Sequence, residues 1–159
     1  MIKLWMAPGG LHIEPGRPED ARDLARIHAQ GFYRGWPEGE FETFLQDPDT
    51  PVYVACDGRR RVAGFALVRV VADESELLTI AVDGRWRGKR VGEALLRAAF
   101  DDLRSTAARR MFLEVSEENT AAIRLYERQG FATISRRTGY YPKADGSRAT
   151  ALVMSRDLG

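Results

Sequence analysis

The chain has 159 residues, of which 44% are hydrophobic and 30% are charged, and its formal net charge is +1. This length suits a single domain that buries roughly two-thirds of its unfolded surface, and the composition excludes a disordered chain. The near balance of charge gives no overall field that would favour nucleic acid or a membrane surface, so we expect neither as a partner.

The N-terminal third is expected to hold one short strand and two helices. Residues 1–10 are apolar but too short for a signal peptide with a cleavage site. We expect a disordered extension there, followed by a single domain over residues 11–159. In chain order, the pattern then predicts a strand over residues 11–14, a helix beginning at Pro18 and a second helix that stops before Pro48.

Three strands are predicted to follow as an antiparallel meander. The dipeptide Asp57-Gly58 between the first two is a strong hairpin signal. Acidic residues Asp73, Glu74 and Glu76 are interpreted as a turn before the third. The predicted strands cover residues 52–56, 62–71 and 77–82.

From there the pattern alternates between helix and strand. It predicts a helix over residues 91–103, a strand over 111–115, a helix from Asn119 to Gly130, and strands over 131–136 and 149–156. Strands joined by helical crossovers pair in parallel. The predicted fold class is therefore α/β, with a mixed central sheet in which an antiparallel meander leads into parallel strands flanked by helices.

Cysteine and histidine are scarce. Cys56 is the only cysteine, which fits a reducing compartment and a cytoplasmic location, and its apolar setting favours a buried strand residue over a reactive thiol. His12 and His28 are the only histidines, and His28 has the spacing of a packed helical residue. No cluster in the sequence has metal-ligand spacing, so we predict no metal.

A basic, glycine-containing turn connects the strand that ends at Val82 to the following helix. Its residues are Arg87, Gly88, Lys89, Arg90, Val91 and Gly92. Free amides and the dipole of a helix start attract anions, and glycine lets a ligand approach the main chain. The alternative is a solvated surface turn. The turn lacks the lysine-serine end of a P-loop and the three glycines of a dinucleotide fingerprint, so it favours a phosphorylated ligand without naming it.

Two polar residues stand on apolar stretches downstream. Glu114 interrupts an apolar strand and is a candidate general base, with an ion pair or a solvated strand end as the alternative. Tyr126 shares a helical stripe with Ala122 and could bring its hydroxyl near Glu114, although a core tyrosine with a polar tip has the same pattern. Asn119 is either a helix cap, a ligand contact or both.

Together these residues resemble the Gcn5-related N-acetyltransferases (GNAT), most clearly over residues 76–131. The resemblance implies acetyl-CoA as co-substrate. It also implies that Ile80, Ala81 and Val82 lie along the pantetheine, that residues 87–92 wrap the pyrophosphate, and that Asn119 and Tyr126 line the thiol end. The family pattern expects glycine where this chain has Arg90. If φ is ordinary there, Arg90 can point outward and reach a phosphate.

Within the family the chain resembles the RimI-type ribosomal-protein-alanine acetyltransferases. For this resemblance, Gly139-Tyr140-Tyr141-Pro142 is more discriminating than the motifs over residues 76–131. This implies transfer of an acetyl group to the N-terminal alanine of a small-subunit ribosomal protein, with Glu114 as base and Tyr126 as acid. We expect the acceptor to contact Tyr140, Tyr141 and Trp36 in the aromatic loop of residues 32–36. The acidic residues around position 74 are a weaker candidate for attracting a basic peptide.

Two alternatives stay open at the level of sequence. The first is a GNAT enzyme that acetylates a lysine or a small-molecule amine. The second is a non-catalytic CoA-binding regulatory module, which the presence of both Glu114 and Tyr126 disfavours.

Overall fold

The computed structural model describes residues 3–32 and 34–159. Within these residues eight strands form one mixed sheet with four α-helices around it. The elements are β1 (Trp5–Met6), β2 (His12–Pro15), α1 (Ala21–Gly31), α2 (Glu38–Gln46), β3 (Val52–Cys56), β4 (Val62–Val71), β5 (Glu74–Val82), α3 (Val91–Leu103), β6 (Arg110–Ser116), α4 (Thr120–Arg128), β7 (Ala132–Pro142) and β8 (Arg148–Asp157).

Each face of the sheet carries its own hydrophobic core. Helix α3 buries the stripe that includes Leu95, Ala99 and Leu103, as its helical spacing predicts, and packs with α4 on one face. Helices α1 and α2 pack on the other face through Leu24 and Phe41. The strands between the two layers are therefore apolar on both sides, and β3 is buried along its whole length.

The sheet has the strand order β1-β2-β3-β4-β5-β6-β8-β7. Strands β1 to β5 pair antiparallel, which includes the meander predicted for β3, β4 and β5, and β5 pairs with β6 in parallel. The expectation of further parallel pairing after β6 was wrong, because β8 lies between β6 and β7 and is antiparallel to both. The crossover rule gives the direction of β7 but not the later insertion of β8.

In three regions the structure differs from the sequence prediction in ways that matter for the fold. Residues 5–10, expected in a disordered extension, are part of the fold: β1 pairs with β2, and Trp5 packs edge-on against Tyr53 with ring centroids 5.9 Å apart. The expected acidic turn at 73–76 is largely the start of β5, which begins at Glu74. Strand β7 continues to Pro142 rather than ending at 136, because it pairs with β8 on both sides of an irregularity that contains Gly139, at φ 65°.

None of the helices in the described ranges is long and apolar enough to cross a membrane.

Candidate functional site

A deep cleft opens where β5 and β6 separate. Their parallel ladder runs from the pair Glu74 and Arg110 to the pair Glu76 and Phe112, and there it stops. Beyond it, residues 77–82 and 113–116 form opposite walls of a cavity of about 1090 Å³. The start of α3, helix α4, the end of β7 and the end of α1 also line it. The cavity therefore lies at the centre of the sheet.

The basic turn before α3 forms one end of this cleft. Gly88 has φ 75°, and a Cβ built on it meets nothing within 4 Å, so its main chain is open to a ligand. Together with the amides at the start of α3, this gives the turn the features of an anion site. Gly92 differs, because a Cβ there would lie 3.3 Å from Leu125, so this glycine permits close helix packing.

Arg90 does not have the ordinary φ that would let it replace the expected glycine without strain. Its φ of 64° and ψ of 23° are left-handed, at the N-cap position of α3. Side chains with a Cβ rarely adopt this conformation, which explains why the family pattern has glycine there. Arg90 still lines the cleft, so its charge is available to a ligand.

Helix α1 holds this turn in place through residues that the sequence analysis missed. Asp83 is buried and accepts hydrogen bonds from the Arg85 amide at 3.1 Å and from Arg26 Nη1 at 3.1 Å. The Gln30 side chain accepts from the Gly84 amide at 2.9 Å. Burial alone would raise the pKa of Asp83, but these hydrogen bonds outweigh it and hold the pKa below its ordinary value. The signal for this support is nonlocal, since Arg26 and Asp83 are 57 positions apart.

Most of the predicted cofactor residues line the cleft. Lys89 instead contributes to a smaller pocket beside Leu11 and Asp57. Asn119 lines the cleft and also caps α4, since its Oδ1 accepts a hydrogen bond from the Ala122 amide at 3.2 Å. The cleft-lining members of the predicted set are Ile80, Ala81, Val82, Arg87, Gly88, Arg90, Val91, Gly92 and Asn119.

Glu114 lies on the β6 wall and is paired with Arg137. Its Oε1 is 3.1 Å from Arg137 Nη1, and 23% of its side chain is exposed. The guanidinium of Arg137 also lies 5.1 Å from the ring centroid of Tyr140. Arg137 was not predicted as a site residue. It comes close to Glu114 only because β8 pairs with both β6 and β7.

Tyr126 lines the same cleft from α4. It is 6% exposed and packs edge-on against Phe131, with ring centroids 5.8 Å apart. Burial, with a smaller effect from Tyr141, raises the pKa of Tyr126 above its ordinary value, so the phenol keeps its proton at neutral pH.

The predicted acceptor residues separate into two groups. Tyr141 lines the cleft, and burial, followed by the charge of Glu114, raises its pKa to about 12. Tyr140 is 45% exposed and packs edge-on against Tyr141 at 5.5 Å. The charge of Glu76 also acts on Tyr141. Glu74 and Glu76 line a second, smaller pocket, which Glu114 borders as well.

Trp36 belongs to the second core rather than to the cleft wall. It stacks on His28 at 4.7 Å, and its amide donates to His28 Nδ1 at 3.1 Å. His28 is 1% exposed, and burial lowers its pKa to about 4, which agrees with a packing role. In the same loop, Phe32 stacks on His28 at 4.1 Å and lines the cleft, while Tyr33 lies outside the described residues.

Comparison with known proteins gives a consistent picture. The family model described as Acetyltransferase (GNAT) family matches residues 21–131. The chain is 41% identical over 95 residues to the [Ribosomal protein bS18]-alanine N-acetyltransferase of Escherichia coli strain K12. That match covers 60% of this chain and 64% of the relative, which is less than two thirds of the relative's length. A Bacillus subtilis strain 168 protein, provisionally named for the same activity, is 30% identical over 125 residues, covering 79% of this chain and 83% of its own.

Solved structures show the same architecture. The ribosomal-protein-S18-alanine N-acetyltransferase from Escherichia coli superposes with a TM-score of 0.86 at 31% identity, over 94% of each chain. Arabidopsis thaliana NAA60 in complex with acetyl-CoA superposes with a TM-score of 0.83 over 92% of this chain and 98% of its own. At 21% identity the second likeness concerns the fold alone.

Proposed function

The chain belongs to the acetyltransferase (GNAT) family, and from this premise we propose that it transfers an acetyl group from acetyl-CoA to the α-amine of a protein N-terminus. The acceptor we propose is the N-terminal alanine of a small-subunit ribosomal protein. The relative in Escherichia coli is named for that reaction on bS18.

The observation that carries the proposal is the cleft between β5 and β6. It joins the basic turn at one end to Glu114 and Tyr126 on its walls. A phosphorylated carrier with its reactive group at the far end of an extended arm fits that arrangement. The arm would lie against residues 77–82, whose backbone faces the cleft beyond the last β5 and β6 pair.

The residues of the turn fit the phosphates of CoA. Gly88 leaves its main chain accessible, and Arg87 and Arg90 line the cleft beside the start of α3. Arg87 Nε also donates to the Val82 carbonyl at 3.2 Å, which ties the turn to the end of β5. When bound, acetyl-CoA supplies an acetyl group activated as a thioester.

Glu114 is proposed to accept the proton that the acceptor amine loses as it attacks, directly or through a water. The ion pair with Arg137 restrains the Glu114 carboxylate in the cleft that Tyr141 also lines. Because an α-amine has a pKa of about 8 against about 10.4 for lysine, its neutral fraction at pH 7 is roughly 200-fold larger. A base of modest strength therefore suffices for an N-terminal acceptor.

Tyr126 is proposed to donate its phenolic proton to the sulfur that departs when the carbon–sulfur bond breaks. Its raised pKa keeps the proton in place until negative charge develops beside it. A backbone amide in residues 80–82 is proposed to stabilise the oxyanion that forms on the acetyl carbonyl, as such donors do in acyl transfer. The acetyl group passes directly to the amine without a covalent enzyme intermediate.

A thiol-release assay with acetyl-CoA and a panel of acceptors tests the acceptor class. We expect turnover with a peptide that begins with the alanine terminus of the ribosomal protein, and little with the same peptide blocked at its N-terminus but carrying a free lysine. Preference for the lysine peptide or a small amine would replace the acceptor. Absence of turnover across the panel, with CoA still bound, would favour a non-catalytic module.

The two proposed catalytic groups are tested by Glu114→Gln and Tyr126→Phe. Each keeps the shape of the side chain and removes its proton-transfer capacity, so we expect kcat/KM to fall by about 10²- to 10⁴-fold. Arg124→Gln on the exposed side of α4 serves as the matched control and should retain activity. Turnover within a fewfold of the unmodified enzyme for both variants would overturn the mechanism.

A further inference from the structure

A histidine, a carboxylate and the single cysteine meet on the α1 face of the sheet, outside the cleft. His12 and Glu14 are two positions apart on β2 and share a face, and the register of β2 with β3 places His12 opposite Cys56. His12 Nε2 lies 2.8 Å from Glu14 Oε2 and 3.5 Å from Cys56 Sγ. The three donor atoms all lie within 4.8 Å of one another.

From this geometry we propose that His12, Glu14 and Cys56 form a binding site for a divalent transition metal ion of the Zn²⁺ class. Imidazole nitrogen, thiolate sulfur and carboxylate oxygen are the three ligand types that Zn²⁺ takes in proteins. Mg²⁺ and Ca²⁺ prefer all-oxygen sites, so the sulfur and nitrogen donors disfavour them.

One of the separations already matches that of a tetrahedral ion, and a second has to lengthen. With the usual Zn–S and Zn–N bond lengths, tetrahedral geometry places a sulfur and a nitrogen ligand about 3.5 Å apart, which matches the distance from Cys56 Sγ to His12 Nε2. The carboxylate oxygen is closer to the imidazole than a bound ion requires. When an ion binds, a metal bond to each atom replaces the hydrogen bond between Glu14 Oε2 and His12 Nε2. These two atoms must then move apart by about 0.5 Å.

The two oxygens of Glu14 face different partners. Oε1 accepts from Arg60 Nε at 2.7 Å and lies 2.9 Å from Arg17 Nη2, whereas Oε2 faces His12. The arginines therefore fix the carboxylate from behind and leave the other oxygen for the ion, as outer hydrogen-bond partners do in metal sites. Arg60 also pairs with the buried Asp20, which offsets its charge near the ion.

The site has a route from solvent. The side chain of His12 is 24% exposed and that of Glu14 is 15% exposed, while Cys56 is buried below them. An ion enters past His12, displaces the thiol proton to solvent, and keeps an outward position for a water molecule. This grouping was not predicted from the sequence, because His12 and Cys56 are 44 positions apart.

The direct test is titration of the chelator-treated full chain with Zn²⁺ in a calorimeter, followed by Co²⁺ as an optical probe. We expect one Zn²⁺ per chain, and with Co²⁺ the near-ultraviolet charge-transfer band of a cobalt–thiolate bond. Because Cys56 is the only cysteine, that band on the unmodified chain reports this site without any variant. Absence of stoichiometric Zn²⁺ binding, or binding of Co²⁺ without the thiolate band, would overturn the proposal.

Variants then assign the ligands. His12→Asn, Glu14→Gln and Cys56→Ser should each weaken Zn²⁺ binding by at least about tenfold, since loss of mere outer-shell partners already costs 10- to 100-fold. Glu38→Gln, an exposed carboxylate at the start of α2, is the control and should bind as the unmodified chain does. Equal Zn²⁺ affinity in all four variants would place the ion elsewhere and sink the assignment.

Discussion

Arg90 carries a measurable backbone strain at the start of α3. A left-handed conformation costs a residue with a Cβ about 1–2 kcal/mol, which a glycine would not pay. Glycine is also more flexible in the unfolded chain, and this offsets about 0.5–1 kcal/mol of the strain that it relieves. Arg90→Gly should therefore raise the free energy of unfolding by about 0.5–1 kcal/mol. Urea unfolding measures this.

Arg90→Ala is the matched control, because it removes the same charge but retains the Cβ and the strain. Both variants should weaken acetyl-CoA binding in a salt-sensitive way, since both lose a cation from the cleft wall. If the alanine variant were stabilised as much as the glycine variant, the charge of Arg90 rather than its backbone would be the source of strain.

Asp83 makes the fold sensitive to acid. Its pKa is depressed in the folded chain, because the hydrogen bonds from Arg85 and Arg26 outweigh the effect of burial. A carboxyl with a depressed folded pKa contributes stability above its unfolded pKa of about 3.9 and loses it as the pH falls through the folded value. The carboxylate should contribute about 1 kcal/mol at pH 7, a modest value because Arg26 is partly solvated.

Urea unfolding of the unmodified chain and of Asp83→Asn between pH 7 and about pH 2 isolates this contribution. The asparagine keeps an acceptor for the Arg85 amide, but it removes the charge and the second oxygen, which accepts from Arg26. The stability difference between the two should be largest near neutrality and should shrink to nothing below the folded pKa of Asp83. A difference that persisted undiminished in strong acid would mean that Asp83 acts through shape rather than charge.

At the scale of elements, the N-terminus of α4 combines a cap with a place on the cleft wall. Asn119→Ala removes the side-chain oxygen that accepts from the Ala122 amide and should lower the free energy of unfolding by about 1 kcal/mol. Asn119→Ser keeps a capping oxygen and should retain stability. Thermal unfolding and the KM for acetyl-CoA, measured on both variants, separate the two roles.

We expect the serine variant to retain its KM within about twofold, because the oxygen of Asn119 is already engaged by the cap. A KM raised tenfold at unchanged stability would instead make the asparagine side chain a direct ligand contact.

The sequence predicted the elements whose signals are local. The spacing of Leu95, Ala99 and Leu103 was enough to define α3, and its basic turn was recognised because strand, turn and helix follow one another. Pairings between distant strands were beyond reach. The insertion of β8 depends on which strand pairs with the edge of β6. It brings Arg137 into contact with Glu114, and no residue spacing in the chain predicts that contact.

At the scale of the whole molecule, the cleft links ligand binding to stability. Its two walls belong to β5 and β6, which pair only over residues 74–76 and 110–112 in the described sheet. A ligand that contacts both walls binds the folded chain and not the unfolded one. Acetyl-CoA at about one hundred times its dissociation constant should therefore raise the free energy of unfolding by about 2.7 kcal/mol.

Thermal unfolding with increasing acetyl-CoA measures this effect, and equal concentrations of acetate and of free adenosine serve as controls that lack the connected carrier. The midpoint should rise steadily with acetyl-CoA and stay unchanged with the controls. An unchanged midpoint with acetyl-CoA would mean that the cleft does not hold the carrier.

Because the β5 and β6 ladder ends early, this sheet has unpaired backbone groups at its centre, like those of an edge strand. Backbone amides of residues 78–82 that face the cleft should exchange their hydrogens with solvent as readily as those of an outer strand, despite strands on both sides. The unpaired backbone groups along the cleft can also form hydrogen bonds with an extended segment of another chain. The empty protein should therefore aggregate more readily than the loaded one, and acetyl-CoA added during purification should keep it soluble.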